Sequence, residues 1–133
     1  MRVLLDTNAY TALRVGDPVT VGHFRAATSV LLSSIVAGEL MHGFRCGNRF
    51  DANVAELRQL LDHPLCRLVS PGWDTAWHFS RIAKMLRDKG RPIGSNDLWI
   101  AAQCMEHNAT LLSCDGDFAA VDGLSLVGTP QPG

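Results

Sequence analysis

Four acids stand where apolar segments begin or end. They are Asp6 in Val-Leu-Leu-Asp-Thr-Asn, Glu39 in Ser-Ser-Ile-Val-Ala-Gly-Glu-Leu, Asp97 in Ser-Asn-Asp-Leu-Trp-Ile-Ala-Ala and Asp115 in Leu-Leu-Ser-Cys-Asp-Gly-Asp-Phe. In an α/β fold such positions converge at the carboxyl ends of the strands, where ligands bind. Crowded carboxylates cannot all stay ionised without a counter-charge. A hard divalent cation bound through oxygen suits them, and the chemistry it supports is hydrolysis of a phosphodiester by a metal-activated water. Magnesium takes one or two carboxylates directly, so the remaining acids would hold its water or a second ion.

Each acid also has a plainer reading. Asp6 lies between a strand and a helix, where aspartate is a common N-cap, and Thr7 and Asn8 fit turn chemistry. Asp97 lies in a first helical turn, where the dipole favours an acid by about 0.3–1 kcal/mol. Asp115 and Asp117 flank Gly116 in ordinary turn composition. If Ser34 caps its helix, Glu39 lies past the first turn and is no capping-box acid, so its plainer reading is an exposed glutamate on a solvated helix face. Taken singly, the acids decide nothing; their joint placement points to the metal.

Strands and helices must alternate to position these acids, and the apolar pattern predicts that they do. Residues 2–6 read as a buried strand and 7–14 as a short helix, broken by Gly16-Asp17-Pro18. Residues 19–28 are ambiguous and fit a second short helix. Val30 to Leu32 read as a strand, and residues 35–45 as a helix with Val36, Ala37, Leu40, Met41 and Phe44 on one face. A helix over 51–62 and a strand over Leu65 to Val69 follow. Residues 73–89 carry a wide helical stripe of Trp73, Ala76, Trp77, Phe79, Ile82, Ala83 and Leu86. A helix over 96–107, a strand over 110–113 and a fifth strand over 125–127 complete the pattern. The spacing therefore predicts one three-layer α/β/α domain with a central parallel sheet. Its core spans about residues 1–128, and 129–133 form a frayed tail.

The chain has 133 residues, 47% of them hydrophobic and 19% charged, with a net charge of −1. Disorder is excluded at that composition, and no apolar run reaches the roughly 20 residues of a membrane helix. Asp6 interrupts the N-terminal apolar stretch too early for a signal peptide, so a cytoplasmic protein is expected. The near-neutral balance argues against nonspecific nucleic-acid binding through a broad basic surface. Cys46, Cys66, Cys104 and Cys114 lack C-x-x-C spacing and read as free, mostly buried thiols. The five histidines lack H-x-x-x-H spacing. His42, three residues after Glu39, reads as a partly exposed surface residue, and Trp99 as core. Lys84, Arg87, Lys89 and Arg91, with Arg45 and Arg49 elsewhere, read as solvated helix ends rather than a phosphate-guiding patch. A phosphoacceptor receiver domain would need a paired acid motif and a late lysine, and no lysine follows Lys89. A dinucleotide site would need G-x-G-x-x-G after the first strand.

The ordered set of motifs resembles the PIN-domain ribonucleases, and within them the VapC-like toxins of type II toxin–antitoxin pairs. The matching residues are Leu5-Asp6-Thr7-Asn8, then Ser33-Ser34-Ile35-Val36 leading to Glu39-Leu40 and Gly43. Gly90-Arg91-Pro92-Ile93-Gly94 then leads to Asn96-Asp97-Leu98-Trp99-Ile100-Ala101-Ala102. Ala109-Thr110-Leu111-Leu112-Ser113, Asp115 and Asp117-Phe118 close the series. The resemblance implies a PIN-like fold and an endoribonuclease (a hydrolase) using Mg²⁺ or Mn²⁺, with Asp6, Glu39, Asp97 and Asp115 as the catalytic, metal-holding acids. Asn8, Ser113 and Asp117 become supporting residues, with Asp117 a rival to Asp115. The family commonly has threonine where this chain has Ser113, and the hydroxyl is retained. It further implies an RNA substrate, a VapB-like antitoxin that inhibits the chain, a homodimer, and DNA reached only through the antitoxin. The competing reading is a noncatalytic RNA-binding or protein-interaction domain on the same scaffold.

Overall fold

The computed structural model describes residues 1–130. Five strands, β1 (Arg2–Leu5), β2 (Ser29–Ser33), β3 (Cys66–Val69), β4 (Thr110–Ser113) and β5 (Leu126–Gly128), form one parallel sheet in the order β3-β2-β1-β4-β5. The helices are α1 (Thr7–Arg14), α2 (Pro18–Ala26), α3 (Ser34–Cys46), α4 (Phe50–Leu61), α5 (Trp73–Asp88) and α6 (Ser95–His107), with a 3₁₀ turn over Gly116–Ala120. Helices cover both faces of the sheet, giving the predicted α/β/α domain.

Central strand β1 explains its own composition. Leu4 packs into one core with Leu111 of β4, while Val3 and Leu5 point into the other with Val30 and Leu112. A strand buried on both faces reads as a continuous apolar run rather than an alternating one. The helix starts after β1 and β2 are each fixed by a capping side chain. Asp6 accepts from the Thr7 amide at 2.8 Å, and Ser33 accepts from the Ile35 amide at 3.0 Å. Asp17 accepts from Thr20 at 2.8 Å, so the ambiguous stretch is the helix α2 with Pro18 at its start. Asn108 ends α6 in the left-handed region at φ 51°, a conformation asparagine tolerates better than most residues.

Several expectations change in the folded chain. Of the two serines after β2 that could cap α3, Ser33 is the cap and Ser34 opens the helix. Trp73 and Trp77 do not join the buried stripe of α5: they are 88% and 55% exposed, and Thr75, Ile82 and Leu86 are the buried residues. The reason lies in α5's packing against α6. Thr75, not Trp73, faces α6, and its hydroxyl meets both oxygens of Glu106 at 2.6 and 2.7 Å. Edge strand β3 leaves Leu65 and Leu68 about half exposed. The four cysteines are free, but only Cys104 is buried. Thr129 remains part of the body, buried and donating its amide to Ser113 O at 3.0 Å, so only Pro130 of the described tail stands exposed. The remaining tail residues, 131–133, lie outside the described residues.

Candidate active site

Strand order creates the site. From β1 the chain steps outward through β2 to β3, then returns to β1's other side for β4 and β5. The reversal between β1 and β4 is the topological switch point, where a crevice opens outside the strand ends. Leu5 pairs with Leu112 there, so Asp6 and Ser113 leave the sheet side by side.

Asp6 is 5% exposed, and its carboxylate is held on several sides. Ser113 Oγ donates to Oδ2 at 2.6 Å, Asn8 Nδ2 donates to the same oxygen at 3.3 Å, and the Thr7 amide donates to Oδ1. Asn8 in turn accepts the Cys114 amide at 2.9 Å, tying β1's exit to β4's exit. Ser113 also accepts the Asp115 amide at 3.0 Å, and Asp115 Oδ1 accepts the Asp117 amide at 2.9 Å. Asp115 is half-buried and Asp117 exposed. Hydrogen bonds to a charged acceptor are stronger than neutral ones, which is how a buried carboxylate is retained.

Glu39 reaches the crevice from α3. Thr7 Oγ1 donates to its Oε1 at 3.1 Å. Asp97 comes from the first turn of α6 and is half-buried. Its pKa is pushed up from 3.8 to about 6, first by burial and then by the negative charges of Asp6, Asp115, Glu39 and Asp117. The charges of the other four acids picked out in the sequence therefore reach Asp97 at one end of the sheet. Among the described residues, however, no three His, Cys, Asp or Glu side chains stand at the spacing of one ion's ligands. Glu39 is held by Thr7 and Asp6 by Ser113 and Asn8, and like charges repel.

Beside the acids lies an open cleft of about 690 Å³, bounded by Thr7, Glu39, Gly38, His42 and Asn96. His42 is exposed, as its position implied, and also borders this cleft. The sequence reading had missed Asn96, and it had taken Thr7 only for turn chemistry. Thr7 meets Glu39 across 32 positions of chain, so no local spacing could reveal that contact. Trp99 packs on Phe79 with ring centroids 4.2 Å apart and is no open stacking surface. Of the basic residues, Lys84 pairs with Asp88, Lys89 with Asp122, and Arg45 lies over the Phe50 ring.

The profile of the PIN domain matches residues 3–124. The chain belongs to the PIN-domain family. It is homologous to the VapC ribonuclease toxins of toxin–antitoxin systems. It is 27% identical over 117 residues to Ribonuclease VapC1 of Haemophilus influenzae, covering 85% of this chain and 86% of that protein. It is 29% identical over 126 residues to Ribonuclease VapC5 of Mycobacterium tuberculosis, covering 93% and 90%. The structure of VapBC-1 from nontypeable Haemophilus influenzae superposes with a TM-score of 0.83 at 25% identity, over 96% of this chain and 98% of that one. Among the described residues of this PIN domain, no helix is long and apolar enough to cross a membrane.

Proposed function

We propose that this PIN-domain chain is a metal-dependent endoribonuclease toxin of the VapC type. The observation that carries the reading is the gathering of Asp6, Glu39, Asp97 and Asp115 at the β1/β4 switch point, where burial first, and then the negative charges of the other acids, raise the Asp97 pKa. A set of negatively charged oxygen donors is what Mg²⁺ or Mn²⁺ requires, and such an ion needs only one or two of the carboxylates directly. The donor chemistry therefore fits the ion. Asp6 and Asp97 would hold it, with Glu39 and Asp115 completing the set. When bound, the ion supplies Lewis acidity to the phosphate and to the attacking water.

The chain's own residues prepare that site. Ser113 and Asn8 fix the Asp6 carboxylate against both strand ends. Thr7 orients Glu39. Asp97, whose carboxyl is pushed up to about 6 in the metal-free site, would gain from the cation the counter-charge its ionised form lacks. Asp115 serves in preference to Asp117 because it is the less exposed and is anchored to Ser113 through its amide.

A small VapB-like antitoxin that binds and inhibits the chain is the partner this reading requires, and the protein acts in the cytoplasm as a homodimer. The relatives' names and the VapBC-1 complex support the antitoxin. DNA contact is assigned to the antitoxin, while RNA is met through the metal at the acidic site. The test is total cellular RNA incubated with the purified chain in Mg²⁺ or Mn²⁺, in EDTA, and with Asp6→Asn, the fragment ends being mapped. Discrete cuts needing both metal and Asp6 are expected. No cutting by folded, antitoxin-free protein would favour the noncatalytic reading.

A further inference from the structure

The cleft beside the acids is built for something other than an ion. Along α3, Val36, Ala37 and Leu40 face the core, while Ile35, Gly38, Glu39 and His42 recur at helical spacing on the opposite stripe. That stripe forms one wall of the cleft, with Ser34 at its end and Asn96 across from it in the first turn of α6. Glu39 and Thr7 belong both to the cleft and to the acidic site, so whatever fills the cleft lies against the reacting centre.

Apart from Glu39 the lining holds no carboxylate, and it holds no lysine or arginine. Binding of phosphate would call for such cations. What the lining offers instead is a hydroxyl, a carboxamide and an imidazole, which together both donate and accept, beside the apolar Ile35 and a bare Gly38. A planar heterocycle with donors and acceptors on its edge matches that set, as unpaired bases of single-stranded RNA do. A volume of about 690 Å³ accommodates one nucleoside. Nothing in the protein obstructs the position: a Cβ built on Gly38 meets no atom within 4 Å. Among the described residues, the one hydrogen-bonding neighbour of the His42 ring is Cys46 Sγ at 4.0 Å, which leaves the imidazole able to engage a ligand.

We infer that this cleft is the base-binding subsite for one nucleotide of single-stranded RNA next to the scissile phosphate, with His42 and Asn96 reading the base edge. The inference rests on the ribonuclease reading above, and its test separates the two.

Gly38→Leu puts a larger side chain into the cleft at a position where a Cβ meets no protein atom within 4 Å, and it replaces a helix-weakening glycine. A fluorescent single-stranded RNA is titrated, by anisotropy in Mg²⁺, into Asp97→Asn, which keeps the RNA intact, and into Asp97→Asn with Gly38→Leu. The cleft variant is expected to bind at least about tenfold more weakly, the scale of one good base contact. Its melting temperature should not fall, and Gly38→Leu alone should bind Mn²⁺ in calorimetry as the unaltered chain does. In the active protein, His42→Ala and Asn96→Ala should redistribute the mapped cut positions. Equal RNA affinity in the two proteins, or no RNA binding by either, would overturn the subsite. If Gly38→Leu loses only inhibition by a bound antitoxin, the cleft belongs to that partner and the inference falls. RNA binding that depends on Gly38 in a protein that never cuts would keep the subsite and sink the nuclease.

Discussion

Asp97→Asn should stabilise the metal-free protein at neutral pH, because it removes a charge that the folded chain carries at a cost. The folded carboxyl titrates near pH 6, against 3.8 for the free group. Between those values the folded state keeps its proton while the unfolded chain has lost it, so stability falls as pH rises through the window. Below pH 3.8 the residue contributes nothing; above about pH 6 the cost is fully present. At about 1.4 kcal/mol per pH unit the gap amounts to about 3 kcal/mol. Water reaches the half-buried site and screens that to about 1.5 kcal/mol. The α6 dipole favours the charge by about 0.3–1 kcal/mol, which Asn forfeits. A net gain of about 1 kcal/mol remains, roughly 4 °C in Tm for a chain of this length. Urea denaturation in EDTA at pH 7.5, 5 and 4 measures it. The gain should be largest at pH 7.5 and vanish by pH 4. In Mg²⁺ the order should reverse, since an ion at a hundred times its Kd stabilises the unaltered chain by about 2.7 kcal/mol. A variant less stable than its parent at pH 7.5 in EDTA, or a gap that ignores pH, would refute the reasoning.

Other outcomes follow from the same geometry. Ser113→Ala strips the buried Asp6 carboxylate of its 2.6 Å donor and should cost about 1–3 kcal/mol in chemical denaturation, whereas Ser113→Thr should retain most of that. Leu111→Ala, at a fully buried central position, should cost about 2–5 kcal/mol by the same assay. Trp73→Ala should change stability by no more than about 0.5 kcal/mol, because the side chain is 88% exposed; a loss above 2 kcal/mol would restore it to the core.

What was legible in the sequence was whatever hydrophobic periodicity encodes. The run Val3-Leu4-Leu5 announced a strand buried on both faces, and the acids after β1 and β4 announced where a crevice would open. The helical stripe of α3 was read correctly because its apolar residues alternate with polar ones. The stripe of α5 was not, since at about 100° per residue Trp73 and Trp77 lie across the helix from Thr75, Ile82 and Leu86, so the wide stripe spanned two faces of which one is packed. Amphipathic periodicity gives a direction, not the partner that covers it. The contacts that set the site's detail, Thr7 to Glu39 and Ser113 to Asp6, join residues 32 and 107 positions apart. Such pairings arise from strand order and register, which short-range spacing does not carry.

The most direct test of the central claim is single-turnover cleavage of a mapped RNA substrate in Mg²⁺ by the unaltered chain and by Asp97→Asn, with circular dichroism of both. The account predicts a loss of at least about a hundredfold in the variant, about 2.7 kcal/mol of transition-state stabilisation, with an unchanged spectrum. Equal cleavage rates in two folded proteins would contradict it.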